Sequence, residues 1–125
     1  MTALLIAGIL AALAAAGHGV GGELTNMRKV RFSGTIPDGE RLEIRATWHL
    51  FTLHLVFSAV VLLGVGFRIL PRQAHAIVPF LGAYFVACGA VFLLVLLARG
   101  PRWIIRHPQW VLLVTIGGLA LLGET

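Results

Sequence analysis

Four apolar runs separated by short polar connections organise this chain. The first extends from Thr2 to Gly17 and continues weakly through Gly22 without a charged residue. The second extends from Leu50 to Phe67, interrupted only by Thr52, His54 and Ser58. The third, Ala76 to Ala98, is 23 residues without a charge and would reach roughly 34 Å as a helix. The fourth, Gln109 to Gly123, is short, and its helix is expected to start nearer Trp103, with Arg106 and His107 at headgroup level. The runs are continuous rather than alternating, and only helices or closed barrels satisfy the backbone in lipid, so helices are the choice. The pattern predicts an all-α integral membrane four-helix bundle, one domain over 1–125, with spans at about 2–20, 47–68, 75–98 and 104–123. Trp48, Trp103 and Trp110 lie near run ends, as interfacial aromatics do.

The first run also reads as a secretory signal, because Ala14-Ala15-Ala16 resembles a cleavage site. No positive charge precedes it, so a retained helix is expected. The connection from Glu23 to Thr47 is the one sizeable polar segment, with turn signals at Ser33-Gly34 and Pro37-Asp38-Gly39. Asp38 is expected to cap a helix running from about Gly39 into the second span. That helix would set Arg41, Arg45 and Trp48 or His49 on one stripe. The alternative is a hairpin pairing residues 30–32 with 42–44, less favoured because two isolated strands are marginal in water. Small residues should mediate packing between helices: the candidates are Ala83 with Ala87, Gly64 with Gly66, and the Gly117-Gly118 pair.

Composition supports the membrane reading. Hydrophobic residues make up 58% and charged residues 12%, against about 25% charged in a soluble domain. The net charge is +5, and all ten Lys and Arg lie between or at the ends of apolar runs. That placement points to the lipid bilayer and its anionic headgroups as the partner. No aromatic-basic interleaving suits stacked bases, so no nucleic acid partner is expected. The first and third connections hold eight Lys and Arg, the second only Arg68 and Arg72. The positive-inside rule then places connections 23–46 and 99–106 in the cytoplasm and both termini outside, in a bacterial inner membrane. A lone cysteine, Cys88, excludes an intramolecular disulfide and reads as a packing residue.

One constellation could carry chemistry. His18 and Glu23 lie where the first helix leaves the membrane, and Arg45, Trp48 and His49 where the second enters on the same face. Two imidazoles and a carboxylate can ligate Zn²⁺ or Fe²⁺, so a divalent metal on His18, Glu23 and His49 is one reading. The favoured one is an interfacial hydrogen-bond and salt-bridge cluster, Glu23 with Arg45 for example, that fixes the two helix ends. Haem, quinone or proton chemistry is a third, with His18 and His54 as axial haem ligands. His54 is five residues past His49, turned about 140° around the helix, and otherwise reads as a histidine hydrogen-bonded within the bundle near Thr52 or Ser58. His75 and His107 read as headgroup contacts. No Ser/His/Asp set, nucleophilic cysteine or phosphate loop is present, and no charge lies inside a span.

At these residues the chain resembles a group of small uncharacterised bacterial four-helix membrane proteins. The shared features are His-x3-Gly-Glu, here His18, Gly22 and Glu23, and Arg-x-x-Trp-His, here Arg45, Trp48 and His49. The resemblance covers the first half of the chain. It implies that these residues form the group's signature and brings no activity with it. The function expected is a small accessory or ligand-binding membrane protein that is not an enzyme. The alternatives are a metal- or haem-dependent membrane redox protein and a structural subunit. A homo-oligomer or a larger membrane complex is open as its assembly.

Overall fold

The computed structural model describes residues 1–123, and among them there is helix and no strand. Three helices are long and apolar enough to cross a membrane: α1 (Thr2–Arg31), α2 (Asp38–Gly66) and α3 (Arg72–Arg99). A short helix α4 (Pro101–Arg106) leads to a shorter apolar one, α5 (Gln109–Leu122). α1 packs on α2 and α5, and α3 packs chiefly on α5, whereas α2 and α3 meet only slightly.

The core lies where these helices face one another. Leu4, Ala7, Ala11 and Ala15 recur at helical spacing on α1 and pack with Leu55, Ala59, Leu62 and Val65 of α2. Val78, Leu81 and Phe85 of α3 and Leu113, Ile116 and Ala120 of α5 complete the cluster. Large apolar side chains also cover the outside, among them Leu13, Leu53, Phe57, Phe80, Val91 and Leu94. An apolar exterior of this extent suits lipid rather than water.

Close approach is set by glycine. A Cβ on Gly117 would lie 2.6 Å from the Gly82 carbonyl oxygen, and one on Gly89 would lie 3.1 Å from that of Trp110. Gly66 meets Leu5 in the same way. Gly66 and Gly117 are thus contact residues as expected, but Ala83 and Ala87 are exposed and Gly118 meets nothing. On α3 the facing stripe is Gly82, Val86 and Gly89, one position out of register with the alanines.

Three boundaries differ from the sequence expectation. α1 does not end near residue 20 but runs on to Arg31, leaving only residues 32–37 as connection, and residues 30–32 and 42–44 form no hairpin. Pro37, not Asp38, occupies the cap position of α2, and no side chain caps it. The fourth apolar helix starts at Gln109, not near Trp103. His107 has φ −128° and ψ 74°, outside helix, because the following Pro108 disfavours helical geometry in the residue before it.

Antiparallel packing gathers the connections at two ends. Gly8 meets Leu63, Gly82 meets Leu121, and Gly123 meets Leu4. Met1, Arg68, Leu70, Arg72 and His75 therefore line one cleft at one end. Residues 32–37 and 100–108 share the opposite end, and with them eight of the ten Lys and Arg.

Candidate functional site

The site forms where α1 and α2 leave the apolar core at the charge-rich end. α1 is widened there. Gly17–Gly21 and Glu23–Met27 are wound as π-helix, and the Gly22 N–H reaches the Gly17 carbonyl. In α-helix, residues five apart point about 140° away from each other. A π turn closes with i→i+5 hydrogen bonds, so it brings such residues nearly over one another. His18 and Glu23 are five apart, and both face α2. Thr25 donates its hydroxyl to the Gly21 carbonyl at 2.8 Å, satisfying an acceptor within the widened segment.

On α2, Arg45, Trp48, His49 and Thr52 follow the i, i+3, i+4, i+7 spacing of a single face. Each meets α1. The His18 ring stacks on the Trp48 indole with centroids 4.0 Å apart and planes 10° apart. Trp48 Nε1 donates to the His18 carbonyl at 2.8 Å, and His18 Nδ1 lies 2.8 Å from Thr52 Oγ1. The indole sits on Gly22, where a Cβ would fall 2.3 Å from the ring, and Thr52 sits on Gly19. Those glycines are sockets for the side chains of α2.

One turn further along α1, Glu23 joins two residues of α2. Arg45 donates to Glu23 Oε1 at 2.6 Å, and His49 Nε2 lies 3.0 Å from Glu23 Oε2. Burial acts to raise the Glu23 carboxyl. The hydrogen bonds from His49 and Arg45 and the positive charges beside it outweigh that, and hold it below its ordinary value. Glu23 lies beyond the charge-free stretch of α1, and its side chain keeps 31% of its exposure.

Of the candidate metal set, Glu23 and His49 are in direct contact, while His18 is engaged by Trp48 and Thr52 one turn away. Among the described residues no group of three His, Cys, Asp or Glu is gathered to hold a metal ion. His54 faces a different neighbour. Its ring lies 4.3 Å from Tyr84 and 5.7 Å from Phe85, both on α3, and Ser58 donates to its carbonyl at 2.8 Å. Phe51 stands between the two candidate haem histidines, 5.1 Å from His18 and 6.3 Å from His54. Thr52, Gly19 and Gly22 were not among the expected site residues as partners of His18 and Trp48. The signal for Thr52 is its spacing of four from Trp48, which puts it on the same face of α2.

Comparison with family models, with curated proteins and with solved structures finds no match to this chain.

Proposed function

We propose that this is a small multi-pass accessory protein of the bacterial inner membrane that acts without enzymatic turnover. Its working feature is the His18, Glu23 and His49 cluster at the cytoplasmic face, which latches the first two helices and presents a partly exposed carboxylate and imidazole to a ligand. The observation that supports it best is Glu23. It holds Arg45 and His49 of the neighbouring helix at once, at the end richest in Lys and Arg. A carboxylate at the end of the apolar core that engages two basic side chains of a neighbouring helix fixes how the two helices meet. The latch and the ligand contact are compatible, because Glu23 and His49 keep exposed edges.

The test is an absorption spectrum and metal analysis of the detergent-purified chain, with thermal melting of His18→Ala and His49→Ala. The protein should be colourless and hold no stoichiometric metal, and both variants should fold but melt lower. For His18→Ala the loss is about 2 kcal/mol, from one aromatic stack and one hydrogen bond. A Soret band or one bound metal per chain, lost in these variants, would replace the proposal with a metal- or haem-dependent redox protein. Stoichiometric co-purifying subunits would favour a structural role. Unchanged melting of both variants would remove the site.

A further inference from the structure

We propose that the cleft between the end of α3 and α4 binds the headgroup of an anionic phospholipid, with Arg99, Arg102 and Arg106 as its phosphate ligands. The proposal rests on the reading of the chain as a membrane protein.

The chain reverses sharply at this point. Gly100 has φ +114°, which side-chain-bearing residues rarely adopt, and Pro101 opens α4 immediately after it. The reversal sets Arg99, the last residue of α3, beside Arg102 and Arg106, which are four apart on one face of α4. These three arginines, with Gly100, Pro101, Trp103 and Ile105, line a cleft of about 570 Å³. Trp110 Nε1 reaches the Ile104 carbonyl at 3.4 Å, which ties α4 to the start of α5. Trp103 stacks against His107, and the Arg106 guanidinium lies 6.0 Å from the Trp103 ring centre.

Among the described residues no carboxylate neutralises the charge in this cleft. Among the described residues the ion pairs are Arg41 with Asp38 and Arg45 and His49 with Glu23, all on α1 and α2. No described carboxylate pairs with Arg99, Arg102 or Arg106. Three guanidinium forks around one concavity repel one another and match a phosphate, which each can meet bidentately. The rim supplies the second half of the recognition. Ile105 is 85% exposed and Trp103 39% exposed beside the same guanidinium groups. A soluble phosphate has no use for that apolar edge. A lipid does, since its headgroup carries the charge and its acyl chains begin just below. Arg68 and Arg72 at the opposite end provide the internal comparison, as a pair of arginines in a cleft without an exposed tryptophan.

The experiment is native mass spectrometry of the full chain from neutral detergent, after titration with phosphatidylglycerol or phosphatidylcholine. Flotation with pure phosphatidylcholine vesicles runs in parallel. The chain should float with neutral vesicles and retain one phosphatidylglycerol at least tenfold more tightly than phosphatidylcholine. Arg102→Gln with Arg106→Gln should remove about thirtyfold of that affinity, and Arg68→Gln with Arg72→Gln should leave it unchanged. Flotation without headgroup preference would overturn the lipid site and leave the membrane reading standing. So would equal loss in both double variants. Displacement of the lipid by millimolar inorganic phosphate would make this a soluble-anion site and overturn the proposal. Failure to float would overturn it together with the membrane reading. The wild-type preference needs no variant to fold, so a variant that misfolds does not remove the test.

Discussion

Glu23 is the residue on which the helix pair turns, and its protonation sets a pH dependence. Its carboxyl is held below the ordinary value by His49 and Arg45. A carboxyl depressed on folding contributes stability that is present above its unfolded value and is lost as pH falls through its folded value. Melting of the purified protein should therefore decline on acidification through and below the ordinary carboxylate range. Glu23→Gln should flatten that part of the profile. An unchanged profile in Glu23→Gln would show that Glu23 is not the group responsible. The glycines allow a sharper pair of measurements. Gly22→Ala drives a methyl into the Trp48 ring and should destabilise by about 1–3 kcal/mol. Gly21→Ala meets nothing within 4 Å and should be neutral or stabilise by about 0.5–1 kcal/mol. Chemical unfolding in mixed micelles distinguishes the two. Much of this cluster is legible in the residues themselves, because Glu23, Arg45 and His49 fall where the apolar runs of two consecutive helices adjoin, wherever those helices end. The facing of His18 and Glu23 is not legible. It depends on π winding, and glycines at 17, 19, 21 and 22 read as a helix ending rather than a helix widening.

At the scale of the helices, hydrophobic runs locate the elements and leave their ends and faces open. The run from Ala76 to Ala98 is apolar on all sides, so periodicity cannot choose between the Ala83/Ala87 stripe and the Gly82/Val86/Gly89 stripe. Packing against α5 chooses the second, because Gly117 approaches the backbone of Gly82 and Val86 more closely than a side chain would allow. The end of α1 was hidden for a different reason. Residues 23–31 are polar enough to read as connection, yet Met27 is buried and the helix continues through them. Gly117→Ala should separate α3 from α5, since its new methyl would meet backbone that cannot rotate away. The expected loss is about 2–3 kcal/mol, measured by the same unfolding titration. Gly118→Ala, one residue away and in open space, should change little. Equal effects at the two positions would contradict the packing of this pair.

The molecule as a whole is polarised along its long axis. Antiparallel packing puts residues 32–37 and 100–108 at one end, together with the Glu23 cluster and eight of ten Lys and Arg. The other end carries Met1, Arg68 and Arg72. α1 and α2 are 30 and 29 residues long, and at 1.5 Å per residue both exceed a hydrocarbon core of about 30 Å. Their surplus length extends past the apolar core at the charge-rich end, where the cluster lies. α5, with 14 residues, is the opposite case, and α4 lies at its start. Charge asymmetry of this kind supports the proposed orientation, with the basic end inward.

The central claim is that the Glu23 cluster belongs to the cytoplasmic end of a membrane-spanning bundle. Single cysteines in a Cys88→Ser background test it directly, at Ser33 in the first connection and Gln73 at the opposite end. Intact spheroplasts are treated with a membrane-impermeant maleimide before and after lysis. Labelling of Gln73→Cys in intact spheroplasts, and of Ser33→Cys only after lysis, is the predicted result. Labelling of Ser33→Cys from outside, or equal labelling at both positions before lysis, would contradict it.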